Sequence, residues 1–257
     1  MKKKVVAMIP ARMAASRFPG KPLAKILDLP MIEHVRRRAL LCKALDDVYV
    51  ATCDQVIFDA VASCGGKAIM TKDTHARCTD RVEEAMAKVQ ADIVVILQGD
   101  EPLFDSRIIA DLVAPFHKDP TVMCANVLTP ITRKEDLQDV DIVKALLDSQ
   151  GNVLYFSRAP VPHVRADHPC PVFRQTGLSA FTADFLKTFS RLEPTPLEIT
   201  ESVDFLRILE HRYPILGIIH EGRSIGVDRP DDVGIVEGVL RNDAGQRRIY
   251  QEILTLR

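Results

Sequence analysis

The sequence predicts an α/β fold with a mostly parallel central sheet flanked by helices, and three observations carry that prediction. Short β-rich apolar runs recur through the first half, at Lys4–Ile9, Asp47–Thr52, Lys67–Met70 and Asp92–Leu97. Between them lie stretches whose apolar residues fall three and four apart, the spacing of a helix with one buried face. The run IVVIL at 93–97 lacks polar alternation, as a central strand covered on both sides requires. Strands alternating with helices imply right-handed βαβ units and hence parallel pairing.

Taken in order, Lys4–Ile9 is a first strand, broken off by Pro10 and too short for a signal peptide or a membrane span. Met31–Lys43 is a helix with Ile32, Val35, Ala39 and Cys42 on one face, which makes Arg36–Arg38 a solvated run. Val56–Cys64 and Thr79–Val89 are further helices between strands. The second half changes character. Thr121–Pro130, Asp141–Asp148 and Asn152–Arg158 read as strands, with Ser149–Gly151 a hairpin turn. Residues 159–173 read as a long Pro- and His-bearing loop, Pro196–Arg212 as a helix and Pro214–His220 as a strand. Pro230 opens a helix capped by Asp228 or Arg229. One domain over 1–257 is expected, with a smaller, partly antiparallel lobe at about 121–220.

Composition excludes several classes. The chain is 47% hydrophobic and 27% charged, with 34 basic and 35 acidic residues, a net charge of −1. No bulk field recruits nucleic acid or an anionic membrane, so phosphates must be met by a local cluster. Six cysteines occur with no C-x-x-C pair, which disfavours zinc and thioredoxin chemistry. Reduced, mostly buried thiols in a cytoplasmic protein are expected. No H-E-x-x-H motif is present, no Ser/His/Asp arrangement stands out, and His163 and His168 belong to the loop surface.

The local cluster is PARMAASRFPGKP at 10–22, directly after the first strand. Ligands of open α/β sheets bind at such strand ends. Arg12, Arg17 and Lys21 supply charge, while Ala14, Ala15, Ser16 and Gly20 let backbone N–H groups approach an anion. The loop is neither a dinucleotide fingerprint nor a P-loop. QGDEP at 98–102 ends the buried strand and offers Asp100 as a ligand for Mg²⁺, which takes one or two carboxylates and fills its shell with water and phosphate. GVDRP at 226–230 offers Asp228 in the same way.

In order, PAR-x-x-x-SR-x-PGKPL, the strand end VATCD at 50–54, TDR at 79–81, QGDEP, LYFSR at 154–158 and GVD-x-P-x-D resemble the 3-deoxy-manno-octulosonate (Kdo) cytidylyltransferases over nearly the whole chain. The resemblance implies a GT-A-like nucleotidyltransferase fold, typically a homodimer, acting in lipopolysaccharide biosynthesis. It implies transfer of CMP from CTP, with Mg²⁺, to a 2-keto-3-deoxy sugar acid and release of pyrophosphate. The 121–220 lobe would carry sugar binding and dimerisation. By resemblance, Arg12 and Lys21 contact the CTP phosphates, and Ala14, Ala15, Ser16 and Arg17 line the nucleotide loop. Thr79, Asp80 and Arg81 belong to the nucleotide pocket, Gln98 lies near ribose or sugar, Asp100 and Asp228 bind Mg²⁺, and Arg158 places the acid.

The acceptor side departs from the family. The usual H-x-G-[IL]-Y-A-[YF] strand reads Gln175-Thr176-Gly177-Leu178-Ser179-Ala180-Phe181, and L-E-Q-L-R reads Val203-Asp204-Phe205-Leu206-Arg207. Upstream, H-x-S-G-T-[DE]-R reads His75-Ala76-Arg77-Cys78-Thr79-Asp80-Arg81. Gln175, Ser179, Asp204, Arg158 and Arg207 are the acceptor candidates, the arginines being available to an acid group and Phe205 forming an apolar wall. A pocket that reads hydroxyls discriminates strongly when its polar partners change, so an acceptor other than Kdo is expected. Alternatives of the same fold would act on a nonulosonate, a phosphonate or a hexose 1-phosphate. A glycosyltransferase would be expected to show a D-x-D metal motif, and QGDEP is not one; a silent nucleotide binder would not need Arg12, Lys21, Asp100 and Asp228.

Overall fold

The computed structural model describes residues 2–14, 17–75, 77–165, 170–222 and 225–256. The chain forms two compact units, one of Met1–Ala110 with Ser224–Arg257, the other of Asp111–Arg223.

The first unit begins with β1 (Val5–Ala11), a short hairpin of β2 (Lys25–Ile26) and β3 (Leu29–Pro30), and α1 (Met31–Leu40). It continues with β4 (Asp47–Thr52), α2 (Gln55–Ser63), β5 (Lys67–Met70), α3 (Cys78–Met86) and β6 (Ile93–Ile96). The strands pair in the order β6-β1-β4-β5, every pair parallel, with Val5 opposite Ile93, Ala7 opposite Val48 and Tyr49 opposite Lys67. Val5 to Ile9 and Ile93 to Val95 have no solvent exposure, which is why their sequences carry no alternation.

The second unit contains α4 (Ile108–Lys118), inside which the boundary falls, then β7 (Cys124–Pro130), α5 (Lys134–Gln138), β8 (Lys144–Leu147) and β9 (Val153–Ser157). β10 (Phe173–Thr182), α6 (Ala183–Phe189), α7 (Pro196–Glu201), α8 (Phe205–Glu210) and β11 (Leu216–Ile219) follow. β7 pairs with β11 in parallel and with β10 antiparallel; β10 pairs with β8 and β8 with β9, both antiparallel. The expected helix over Pro196–Arg212 is two helices. Ser202 sits in the left-handed region at φ 53° and ends α7, so the chain turns before α8 begins. Phe156, Phe181, Phe189 and Phe205 form an aromatic core with ring centroids 5.7 to 6.5 Å apart. Phe205 is therefore a core residue here and not the pocket wall expected of it.

α9 (Pro230–Asn242) and α10 (Ala244–Leu254) return to the first unit. They close a core of Ile26, Leu29, Met31, Leu103, Val227, Val236, Leu240, Tyr250 and Ile253. The N-cap of α9 is Arg229, and Asp232 Oδ2 accepts the amides of Asp228 and Arg229, each at 2.8 Å. No helix among the described residues is long and apolar enough to cross a membrane. All six cysteines are free, but only Cys42 and Cys124 are buried, fewer than expected.

The Arg36–Arg38 run also differs from its expected solvated state. All three arginines are buried, because α1 is covered on more than one side. Glu33 makes the burial tolerable: its carboxylate accepts from Arg36 at 2.7 Å through each oxygen and from Arg37 at 2.8 Å. Removing one partner of such a group strands buried charge, typically at a cost of about 3–5 kcal/mol. Among the described residues Arg38 has only a 3.4 Å bond to the Phe104 carbonyl, and burial pushes its pKa down to about 10.

His34 is the other buried titratable group of α1. Nε2 meets the Ile26 carbonyl at 2.8 Å, and the ring stacks on Tyr250 with centroids 5.5 Å apart. Burial, and then the positive charges of Arg38 and Arg37, pull its pKa to about 4 against the bond to Ile26. The folded state thus holds a neutral ring that the unfolded chain protonates near its ordinary 6.5. Below that value the unfolded state binds more protons, so the contribution of His34 is complete above pH 6.5 and drains away as pH falls toward 4. The loss should reach roughly 3 kcal/mol. An NMR titration should place the His34 ring well below the ordinary 6.5, with urea stability falling over the same window; a ring that titrates near 6.5 would contradict this.

Candidate active site

The first unit contains a cavity of about 320 Å³ at the carboxyl ends of β1 and β6. Its lining brings together Arg12, Arg17, Lys21, Arg77 and Arg81 with Gln98, Asp100 and Asp228. Five cations around two carboxylates give a net positive recess, the electrostatics of a polyphosphate site.

Lys21 is the centre of the arrangement. The loop after β1 is anchored by Asp54, whose Oδ2 accepts the Met13 amide at 2.8 Å. Gly20, at φ 76°, then reverses the chain, its N–H bonding the Met13 carbonyl at 3.0 Å. A 3-10 turn, Lys21–Leu23, with Pro22 inside it, fixes the direction of the lysine. Lys21 Nζ lies 2.6 Å from Asp100 Oδ2, 2.9 Å from the Val227 carbonyl and 3.7 Å from Asp228 Oδ1. The Val227 amide in turn donates to the Asp100 carbonyl at 2.8 Å. The two acidic segments, 128 residues apart in sequence (228 − 100), are thereby stitched together by one backbone bond and one ammonium. Arg17 adds an exposed ion pair to Asp228 at 3.0 Å, which contributes little to stability by itself.

The other expected nucleotide residues divide. Arg81 lines the cavity and is almost fully buried, donating to Thr71 Oγ1 at 2.6 Å and to the Lys72 carbonyl at 3.2 Å, so it also pins the segment before α3. Gln98 reaches the Cys78 sulfur at 3.6 Å. Thr79 is buried in α3 and, with Asp80 and Ala14, is absent from the lining. Ala15 and Ser16 lie outside the described residues, as do Ala76 and His168. His75, Arg77 and Cys78 were not singled out as site residues from the sequence, yet all three line the cavity. Their signal was the departure-bearing stretch before Thr79, which directs side chains from the start of α3 toward β1 and β6. His75 Nε2 is hydrogen-bonded to the Glu84 carboxylate, which also accepts the Lys72 amide at 2.9 Å. Burial alone would raise the Glu84 carboxyl, but these two bonds hold it below the ordinary range.

Asp100 and Asp228 meet the same ammonium, so their oxygens converge on one point, and both remain partly exposed. No group of three or more His, Cys, Asp or Glu that could hold a metal exists among the described residues. Two hard oxygen donors with room for water suit Mg²⁺ shared with a nucleotide, and do not suit zinc or a closed calcium cage.

The acceptor candidates all lie in the second unit. Arg207 is corrected: its guanidinium is buried and held by Glu198 at 2.7 and 2.5 Å, beneath the Phe189 ring, so it is part of the core and not a ready partner for an acid. Ser179 is buried on β10 opposite Asn126, beside an irregularity in the pairing, and Gln175 is half-buried on the same strand. Asp204 caps α8. Arg158 is half-buried, and among the described residues its guanidinium bonds only backbone carbonyls, those of Glu201 at 2.8 Å and Val140 at 3.0 Å.

A parallel sheet with a cationic loop after its first strand and paired carboxylates opposite defines the nucleotidyltransferase class. Comparison with known proteins narrows the class, since residues 6–215 match the cytidylyltransferase family. The chain belongs to that family. Among its relatives is a 3-deoxy-manno-octulosonate cytidylyltransferase of Syntrophotalea carbinolica, 42% identical across 92% of this chain and 98% of the relative. An 8-amino-3,8-dideoxy-manno-octulosonate cytidylyltransferase of Shewanella piezotolerans is 43% identical across 93% and 99%. A solved structure of CMP:2-keto-3-deoxy-manno-octonic acid synthetase complexed with CTP superposes with a TM-score of 0.89 at 36% identity, covering 93% of this chain and 99% of that one.

Proposed function

We infer that the protein transfers the cytidylyl group of CTP to a 2-keto-3-deoxy sugar acid of the Kdo type, releasing pyrophosphate. The observation that carries this reading is Lys21 held between Asp100 and Asp228 in a cavity lined by four arginines. The acid's hydroxyl oxygen attacks the α-phosphorus, the bond from that phosphorus to the pyrophosphate bridging oxygen breaks, and the hydroxyl proton passes to water. Such a step needs positioning and charge neutralisation more than covalent catalysis. Lys21, Arg12 and Arg17 hold the triphosphate, and Arg77 and Arg81 add charge from the start of α3. Asp100 and Asp228 would hold Mg²⁺, which when bound supplies further charge to the reacting phosphates. Lys21 then moves from its carboxylate partners to phosphate oxygens.

For the acid, Arg158 is the carboxylate partner, because its guanidinium carries no ion pair among the described residues. Gln175 and Ser179 would read the sugar hydroxyls. We also assign a homodimer formed through the second unit, supported by its exposed Val140, Leu154 and Ile199, each more than 60% open to solvent. Six free thiols support a reducing, cytoplasmic setting.

Asp100→Asn and Asp228→Asn should each lower pyrophosphate release by about a hundredfold or more, with the fold intact by circular dichroism. Near-wild-type rates for both at low Mg²⁺ would remove the metal assignment. For the acceptor, kcat/KM should be measured with CTP saturating, for Kdo beside its 8-amino-8-deoxy analogue, neuraminate-like acids and phosphonate acids. Gln175 and Ser179 stand where the family has His and Tyr, so at least one related acid should exceed Kdo. Kdo turning over as well as or better than every other acid would contradict that selectivity.

A further inference from the structure

Arg158 differs in kind from the other buried or half-buried arginines of its unit. Arg207 spends its charge on Glu198. Arg158 is gripped instead at four points, and its guanidinium carries no ion pair among the described residues. Nε donates to the Glu201 carbonyl at 2.8 Å and Nη1 to the Val140 carbonyl at 3.0 Å. Its backbone N–H donates to Glu201 Oε2 at 2.8 Å, and its backbone carbonyl accepts from Lys144 Nζ at 2.6 Å. Two carbonyls fix the plane of the guanidinium, and Nη2 has no bond to another described residue. A guanidinium fixed by neutral acceptors keeps its full charge for an external anion.

Two of the gripping groups, both at the backbone of Arg158, are charged: the Glu201 carboxylate and the Lys144 ammonium. Glu201 Oε1 accepts the Ser157 hydroxyl at 2.7 Å while Oε2 takes the Arg158 amide. Burial would raise this carboxyl, yet those bonds and the nearby Arg158 charge hold it below the ordinary range, so it stays ionised. Lys144 has no solvent exposure, and its ammonium donates to three carbonyls: Asp139 at 2.7 Å, Ile142 at 2.9 Å and Arg158. It thereby ties the turn that bears Val140 to the end of β9. Burial lowers its pKa, Arg158 lowers it further, and Glu201 and Asp139 oppose them. Without Glu201, two cations would face each other with less compensation.

We propose that Glu201, backed by Lys144, is the positioning residue that presents Arg158 to the carboxylate of the acid substrate. This rests on the assignment of Arg158 given above. Glu201 acts through Arg158 and does not itself touch substrate.

The test compares KM for the acid and for CTP in Glu201→Gln, in the milder Ser157→Ala, in Arg158→Met and in the Glu201→Gln/Arg158→Met double variant. The Gln amide has one acceptor oxygen, and its NH2 group cannot accept, so the bonds from Ser157 and from the Arg158 N–H cannot both persist and the acid KM should rise about tenfold or more. The CTP KM should not change. Ser157→Ala, which removes one hydroxyl and retains the fold, should shift the acid KM in the same direction by less. In the double variant the Glu201 change should add nothing, because the group it positions is gone. A rise in both KM values together, or an equal effect of Glu201→Gln with and without Arg158, would overturn the positioning role. An unchanged acid KM in Arg158→Met would remove the Arg158 assignment and the positioning role with it. The failure of the wild-type protein to release pyrophosphate with any acid would instead mark failure of the functional reading.

Discussion

One ammonium group joins the parts of the nucleotide site. Lys21 comes from the loop after the first strand, Asp100 from the end of a buried strand and Asp228 from the approach to α9. Each segment alone is a turn with a charge on it. The ammonium, the Val227 carbonyl that it also bonds and the Val227–Asp100 backbone bond make them one structure. Two converging carboxylates would repel each other without a cation, and Lys21 supplies one. On the proposed function, the same geometry would let a metal and a triphosphate take over from the lysine, since every partner is already aimed at a common point. Most of the surrounding architecture serves this alignment. Asp54 holds the loop, Gly20 turns it, and Asp232 holds the amides that precede α9.

The second unit solves a different problem with the same side chain. Arg207 is buried and Arg158 half-buried, and their partners decide what each can do. A bidentate carboxylate makes Arg207 part of the aromatic core, between Glu198 and the Phe189 ring. Backbone carbonyls make Arg158 a held but uncompensated charge. Burying such a charge is costly in isolation. Glu201 at its backbone and partial exposure of its guanidinium offset that cost. On the proposed function, a carboxylate ligand would complete the ion pair.

Local periodicity made the parallel sheet legible, because βαβ chemistry repeats within short windows: β4 and β5 begin and end where their apolar runs do. The charged loop and both acidic strand ends were legible for the same reason. What failed was long-range. Nothing local distinguishes a solvated Arg36–Arg38 run from one covered on several sides and neutralised by Glu33, whose i+3 and i+4 spacing was the only available hint. The break at Ser202 depends on a left-handed residue that a helical pattern runs straight through. Arg207 and Phe205 aligned with the family's acceptor helix, yet alignment gives position in the chain and not the direction of a side chain. His75, Arg77 and Cys78 reach the cavity only because the start of α3 packs near β1, a tertiary fact.

The most direct test of the account is a calorimetric titration of CTP, with Mg²⁺ present, into the wild-type protein and Lys21→Ala. If Lys21 is the group that hands two carboxylates and a triphosphate to one another, its loss should weaken CTP binding by at least about tenfold while the fold persists. A dissociation constant for CTP that does not change in Lys21→Ala would contradict the account and reduce the loop to a solvated basic turn.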